Sequence, residues 1–402
     1  MSLGKTEADA TERGEFRKFP NLPETLEAST NNALKQWSAD LLAKVDVRLD
    51  GSRPWDIDLK DERALDKVMG KGSLGLGEAY MDGWWDCEAP DQLLDRILSG
   101  RIHRAVRLNA HFVGLVLKAR LLNMQNRSKS LKVAEVHYNL GNDFYEAMLD
   151  PWMQYTCGYW QNGAKTLEEA QEAKLDLACR KLDLKPGQRV LELGCGWGGF
   201  ARFAASRYGV EVVGYNISVE QVAWAREKCK GLPVDIRLSD YRDAEGEYDK
   251  VVSIGMCEHV GWKNLKPFCQ LAHDHLKPDG VFLLHTIGGF QISREMDAWM
   301  DRYIFPGAFM PSPVQLAGAF DKLFILEDWH NFGVDYDRTL MAWNDNFEAS
   351  WPRFSEQYGE RFHRMWRYYL LTCAGTFRSR YNQLFQLVLS KRGIRGGWRT
   401  TR

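Results

Sequence analysis

The 402-residue chain has no continuous apolar run approaching the roughly 18 residues that a membrane-spanning helix needs, which argues against a polytopic membrane protein. Its first residues, Met1 to Lys18, are polar and acidic without the apolar segment of a secretory leader, so a cytoplasmic chain is expected. The eight cysteines form no C-x-x-C pair and no zinc-like spacing. They read as reduced, mostly buried small hydrophobes, and no metal site is expected. Internal repeats and low-complexity runs are absent as well. Neither sign of charge prevails: 53 Lys and Arg offset 54 Asp and Glu, so the global balance suggests no nucleic-acid partner. With 45% apolar and 27% charged residues, the composition is that of a soluble globular protein.

The aromatic content is high, with 15 Trp, 15 Tyr and 19 Phe. Charge is also distributed unevenly. Arg101 to Lys132 holds eight Lys/Arg and no acid, interleaved with apolar residues, and Arg101, Arg104, Arg107 and His111 follow helical steps. Such a tract is either the solvated face of a core helix or an amphipathic basic helix on an anionic lipid surface. A second acid-free tract, Arg361 to Arg402, carries ten Lys/Arg and adds weight to a surface-binding role. The polar stretch Gln125–Ser130 (QNRSKS) is the best linker candidate. The division expected is a disordered tail 1–18, an N-terminal lipid- or membrane-associated domain 19–124, a linker 125–132 and a catalytic domain 133–402.

Beyond the linker, helical and strand patterns alternate. A helix from Leu167 to Leu182 stops at Pro186-Gly187. Strands are expected at Val190–Leu193, Val210–Tyr215, Val234–Leu238, Lys250–Ile254 and Val281–His285. The intervening helices start at Phe200, at Ser218 (with the S-x-x-Q spacing of a capping box to Gln221) and near Asn264. This series implies a doubly wound, mostly parallel α/β sheet, closed by Phe324–Trp329 and Leu384–Leu389 as an antiparallel pair. Ligands of such sheets bind beyond the carboxyl ends of the strands. There stands Glu192-Leu-Gly-Cys-Gly-Trp-Gly-Gly199, whose glycines let backbone approach a ligand. Its E-x-G-x-G-x-G spacing is not the dinucleotide fingerprint. It resembles motif I of the class I S-adenosylmethionine-dependent methyltransferases, which implies a seven-stranded sheet of that class behind a smaller, mainly helical N-terminal domain. The acid that often ends the second strand in that class is replaced here by Asn216, with Gln221 one turn on. An amide can supply the same hydrogen bonds.

Further segments together resemble one family, the cyclopropane-fatty-acyl-phospholipid synthases and the related mycolic acid cyclopropane synthases. They are His137–Tyr145 (HYNLGNDFY), Met148–Trp160 (MLDPWMQYTCGYW), Gly255–Gly261 (GMCEHVG), Leu283–Gly288 (LLHTIG), Tyr303–Pro306, Glu327–Phe332 (EDWHNF) and Tyr336–Trp343 (YDRTLMAW). The resemblance covers about residues 130 to 392 and is looser over the N-terminal third. It implies transfer of a methylene group from S-adenosylmethionine to the cis double bond of an unsaturated phospholipid acyl chain, through a carbocation deprotonated by bound bicarbonate. The alternative is a related lipid methyltransferase giving methyl- or methylene-branched chains.

By the same resemblance the bicarbonate set is Cys157, Glu258, His285, Ile287 through its backbone, and Tyr336. Taken singly, Cys157, His285 and Tyr336 are as readily core residues; Glu258 is harder to dismiss, because Glu is seldom buried without a partner. The cofactor set is Tyr155, Thr156, Gly194, Gly196, Asn216, Gln221, Tyr241 and Arg242, where Arg242 either contacts the cofactor, stacks or pairs with Asp243. Trp152, Tyr155, Tyr159 and Trp160 are expected around the cofactor and alkene, since ring faces attract a sulfonium cation. Partners implied are membrane phospholipid at the inner face of the bilayer and a second copy of the chain, with no nucleic acid.

Overall fold

The computed structural model describes residues 30–103, 140–161, 163–399 and 401–402. The expected tail 1–18, the basic tract beyond His103 and the linker 125–132 lie outside the described residues. The N-terminal part comprises α1 (Thr30–Ala43), α2 (Arg63–Lys71), α3 (Ser73–Met81) and α4 (Pro90–Ser99), with two short strands, β1 (Asp58–Leu59) and β2 (Trp85–Asp86), paired antiparallel. Helix α3 is rich in small and apolar residues and presents no polar face, so it is buried along most of its length.

The second part is a seven-stranded sheet. Its strands are β3 (Arg189–Leu193), β4 (Glu211–Asn216), β5 (Val234–Leu238), β6 (Tyr248–Ile254), β7 (Leu276–Gly289), β8 (Ile325–Asn331) and β9 (Asn382–Ser390). They lie in the order β5-β4-β3-β6-β7-β9-β8. Strands β3 to β7 pair in parallel, and β9 is antiparallel to both β7 and β8. This is the doubly wound class I methyltransferase sheet that the alternating patterns imply.

Alternate residues feed the two faces. Val190, Val212, Val252, Leu283 and Val388 meet α6 (Leu167–Lys181), α7 (Gly199–Tyr208) and α8 (Val219–Lys228). Leu191, Val213, Val251, Leu284 and Leu387 meet α9 (Leu265–Asp274) and α11 (Pro313–Phe320) on the other side. The remaining helices are α5 (Asn142–Met148), α10 (Ala298–Tyr303), α12 (Val334–Ser350) and α13 (Ser355–Arg378). No described helix is long and apolar enough to cross a membrane.

Two local expectations change. Strand β7 runs from Leu276 to Gly289 rather than Val281 to His285, because β9 pairs with it residue by residue from Val281 to Gly289. The capping box at Ser218 is half formed: Ser218 Oγ accepts from Gln221 N at 3.3 Å, but the Gln221 side chain turns to Asn216 instead.

Residues 30–103 share one core with the helices beyond the sheet. Tyr80, Trp85 and Leu93 belong to the same apolar cluster as Phe144, Trp343, Trp366 and Tyr368. Trp366, fully buried, stands edge-on to Phe144 at 5.1 Å and donates through Nε1 to Met148 Sδ at 3.2 Å. Trp84 lies under Arg63 and Lys67, which gives that ring a cation–π role.

Along this seam five of the ten cations of the C-terminal basic tract are used inside the molecule. Arg361 pairs with Asp82, Arg364 with Asp86, and Arg378 with both Asp91 and Asp337. Arg367 donates to Tyr80 Oη and Glu88 O, and Arg402 grips Asp328 with both terminal nitrogens. These cations neutralise acids elsewhere in the chain, a use that a one-dimensional charge count cannot display.

The seam is close where Gly375 crosses α4, since a Cβ there would lie 2.4 Å from the Asp91 carbonyl oxygen and 2.9 Å from Leu94 Cβ. We expect Gly375→Ala to push α13 from α4 at a cost of about 1–3 kcal/mol, read as a lower melting temperature. An unchanged melting temperature would show that the two helices separate freely.

Candidate active site

Strand β3 ends in a turn that leaves a cavity at the carboxyl edge of the sheet. All eight residues of the expected cofactor set line it: Tyr155, Thr156, Gly194, Gly196, Asn216, Gln221, Tyr241 and Arg242. Gly194 has φ 84°, and a Cβ there would meet Met256 Cγ at 2.6 Å, so the turn has room for glycine only. Asn216 is held by its neighbours: Nδ2 donates to Gly196 O at 3.0 Å and to Gln221 Oε1 at 2.8 Å, and Oδ1 accepts from Ser218 N. Arg242 forms a two-pronged pair with Asp240, at 2.7 Å for each prong, and lies over the Tyr241 ring.

One wall is aromatic. Tyr155 lies 5.2 Å from Trp343 and 5.4 Å from Tyr145, and its hydroxyl donates to Tyr369 Oη at 2.9 Å. Of the four rings expected there, Tyr155 alone lines this cavity. Trp152 turns away to Phe203, Glu172 and Arg202, while Tyr159 packs on Phe332 and Trp160 donates to Thr339. These rings fill the seams behind the site, where the indole N–H groups of Trp152 and Trp160 find acceptors and Tyr159 packs on other rings.

The five expected bicarbonate residues lie outside this cavity's lining, and the fold gathers them into two groups. Glu258, in a tight turn after β6, is fully buried; its Oε1 accepts from Ile287 N at 2.6 Å, and its Oε2 has no hydrogen-bond partner. Burial raises its pKa to about 7, against the opposing pull of the Ile287 N–H. His285, two residues earlier on the same face of β7, is also fully buried, with Nε2 unpartnered. Burial, reinforced by the nearby Lys174 and Lys181 cations, lowers its pKa well below the usual imidazole value and keeps it neutral.

The second group stands on α12 and the segment before α6. Cys157 Sγ lies 3.8 Å from Thr339 Oγ1, and burial holds the thiol protonated. Tyr336, one turn before Thr339, stacks on Phe377 at 4.5 Å. Phe332 lies 5.7 Å from the His285 ring and 5.3 Å from that of Tyr159.

Behind His285 the sheet carries a polar row. Gln386 on β9 is directly opposite both His285 on β7 and His330 on β8. Its Nε2 lies 3.1 Å from His285 Nδ1; with the amide donating, the imidazole proton sits on Nε2, the atom left free. On the far side His330 Nδ1 meets the buried Lys181 ammonium at 3.1 Å, and Lys181 pairs with Asp328 at 3.2 Å. Burial lowers the Lys181 pKa to about 8 and that of His330 to about 3. Sequence reading missed Gln386, although a lone amide inside the apolar run Leu384–Leu389 is a readable signal. It also missed His259, which lines the cavity, and Lys174, whose Nζ donates to Thr156 Oγ1 at 2.8 Å and to Gln154. Nothing in the sequence marked Lys174 apart from other helical lysines.

The site can take a large ligand and a small anion. The cavity offers a glycine turn, an amide cluster and a ring wall of the kind an adenosyl sulfonium requires. The unpartnered Glu258 Oε2 and His285 Nε2 offer hydrogen bonds to a small oxyanion in a buried setting. Two outcomes follow. Gly194→Ala is expected to weaken S-adenosylmethionine binding at least tenfold by calorimetry; unchanged affinity would mean the turn does not face the ligand. Because Glu258 binds its proton more tightly folded than unfolded, its contribution to stability is present below the unfolded value of 4.5 and is lost as pH rises through about 7. The melting temperature of Glu258→Gln minus that of the wild type should therefore climb between about pH 5 and pH 8; a flat difference would refute the raised pKa.

Comparison with known proteins identifies relatives of the whole chain and of its fold. The mycolic acid cyclopropane synthetase family model matches residues 125–387. The cyclopropane-fatty-acyl-phospholipid synthase of Escherichia coli (strain K12) is 48% identical over 365 residues, covering 90% of this chain and 94% of its own. Among solved structures, a cyclopropane synthase of Mycobacterium tuberculosis superposes with TM-score 0.62 at 31% identity, covering 67% of this chain and all of that one. A mycolic acid cyclopropane synthase solved with SAH and CTAB gives TM-score 0.61 at 31% identity, over 65% of this chain and 98% of that one. With matching order across more than half its length and this shared fold, the chain belongs to the mycolic acid cyclopropane synthetase family of S-adenosylmethionine-dependent methyltransferases.

Proposed function

We propose that the chain transfers a methylene group from S-adenosylmethionine to the cis double bond of unsaturated phospholipid acyl chains, forming a cyclopropane ring at the inner face of the membrane. One observation carries the reading: two buried polar atoms, Glu258 Oε2 and His285 Nε2, stand unpartnered at the sheet edge beside the cofactor-sized cavity. Unpaired polar atoms in a protein interior cost free energy, so their retention implies a polar ligand.

S-adenosylmethionine supplies, when bound, a methyl group on a sulfonium, and bicarbonate a base for the proton that ring closure releases. The residues of this chain bind and orient both. The Tyr155 ring, which lines the cavity with Trp343 packed against it, favours positive charge on the sulfonium side. Asn216 and Gln221 present the amide functions that ribose hydroxyls match, and the bare Gly194 turn admits the ligand against backbone. His285, neutral and protonated on Nε2, donates to an anion without contributing a competing base. Glu258 either accepts from or donates to the same anion according to its charge, since its pKa lies near neutrality. The Ile287 N–H fixes the carboxyl in place, and Cys157 and Tyr336 complete the pocket from α12's side. Apolar burial around all five excludes water that would otherwise quench a carbocation.

The test is lipid mass spectrometry after incubation with S-adenosylmethionine and monounsaturated vesicles, with and without added bicarbonate. The expected product is heavier by about 14 Da, has lost its double bond and shows cyclopropane protons by NMR. A methyl- or methylene-branched product would transfer the chain to the alternative lipid methyltransferase reading. Glu258→Gln is expected to lower turnover at least a hundredfold, in the range of a lost proton-handling group, with S-adenosylmethionine affinity retained.

A further inference from the structure

Eight large apolar side chains are exposed among the described residues, and six of them stand at one edge of the sheet. Val219 opens α8 beyond β4, Leu238 ends β5, Phe290 and Ile292 follow β7, Val314 opens α11 and Val334 opens α12. The other two, Ile325 and Leu326, begin β8 at the opposite edge. Single exposed apolar residues need no explanation, but their concentration along one rim does.

The rim is fixed in place. Gln315 holds the segment after β7 at both ends of its amide, donating to Ser293 O at 2.7 Å and accepting from Ser293 N at 3.3 Å. Gly289 N donates to Pro311 O at 3.1 Å, and the Phe290 ring rests edge-on against Tyr381 at 5.4 Å. Exposed cations border it: Arg294 and Lys263 lie over the Trp262 ring at 5.0 and 5.5 Å, and Arg380 is adjacent to Tyr381 in sequence. Of the nearby acids, Asp297 is exposed, and its carboxylate accepts from Trp299 N and Met300 N to cap α10. Tyr381 also contacts His103, from which the acid-free stretch Arg104–Lys132 continues.

We propose that this rim is the face that rests on an anionic lipid bilayer, with Phe290, Ile292 and Val314 entering the headgroup–acyl boundary and Arg294, Lys263 and Arg380 meeting phosphate. The occupant follows from charge and chemistry together: apolar tips, an interfacial Trp and a cationic border suit a surface that is apolar below and negatively charged above. Position agrees, because Phe290 directly follows the end of β7 at Gly289, five residues beyond His285, or roughly 16 Å if that stretch is extended. An acyl chain leaving the bilayer at the rim is thus delivered along β7 toward Glu258 and His285. In that last respect the inference rests on the proposed reaction.

The test is sedimentation of the full chain with sucrose-loaded vesicles of monounsaturated phosphatidylcholine, with and without phosphatidylglycerol. The triple variant F290D/I292D/V314D should lower the partition coefficient at least tenfold on both vesicles while keeping the melting-temperature rise produced by S-adenosylmethionine. R294E/K263E should lower binding to anionic vesicles alone and flatten its salt dependence. I325D/L326D at the opposite edge should bind as the wild type. Should the triple variant fail to fold, Val314→Asp alone, acidic at a helix N-terminus and so tolerated there, is expected to reduce binding several-fold. Undiminished binding by the rim variants, or an equal loss from the opposite-edge pair, overturns the proposal. So does undiminished binding with new protease cleavage within 104–139, which would make that segment the rim's partner. Sedimentation needs no turnover, so intact rim-dependent binding without cyclopropane product would count against the reaction and not against the face.

Discussion

Strand β9 is last in sequence yet lies between β7 and β8, and the cross-strand contact from its Gln386 to His285 depends on that insertion. Without β9, β7 would be an edge strand with a row of unpaired backbone groups beside the site. With it, β7 is paired on both edges as far as His285 and by β9 alone out to Gly289, and His285, Thr286 and Ile287 are held in one register. The Glu258 carboxylate can then take its hydrogen bond from Ile287 N, because that N–H is aimed by strand geometry. The carboxyl so held has one fixed and one unpartnered oxygen, and His285 on the same strand as Ile287 has one fixed and one unpartnered nitrogen. The basicity of the carboxyl is set by burial.

The same burial divides the molecule's charges into two populations. Lysines such as Lys174 and Lys181 are enclosed, and desolvation brings their pKa values down to about 8. Arginines of the C-terminal tract are matched to acids of residues 30–103, fastening the N-terminal helices to α13. The partly exposed members of these pairs each contribute little alone; their value lies in orienting a seam already closed by Trp366, Tyr80 and Tyr368. On the rim beyond β7, the exposed cations Arg294, Lys263 and Arg380 adjoin exposed apolar side chains.

Much of this was legible in the chain. Alternating strand and helix patterns marked all seven strands of the main sheet, because each buried strand is short, apolar and bounded by turn residues. The E-x-G-x-G-x-G turn marked the cavity, since only glycine fits φ 84° against Met256. Other features were hidden for physical reasons. The full length of β7 depends on a partner over 90 residues away in sequence, and the unformed half of the Ser218 capping box reflects a better acceptor geometry for Gln221 at Asn216. Trp152 and Trp160 turned out to serve seams because local sequence does not say which face of a loop is inward.

The sequence by itself determined the order of elements, the glycine turn and the chemical kinds of residue near the strand ends, since each rests on local periodicity or on a backbone conformation one residue type alone accepts. Tertiary structure alone decided which groups meet. It set Gln386 against His285, left Glu258 Oε2 and His285 Nε2 without partners, and paired half of the cations of an acid-free tail with acids elsewhere in the chain. Those outcomes depend on distances between residues far apart in the chain, and burial, which sets their pKa values and energies, exists only once the chain has closed on itself.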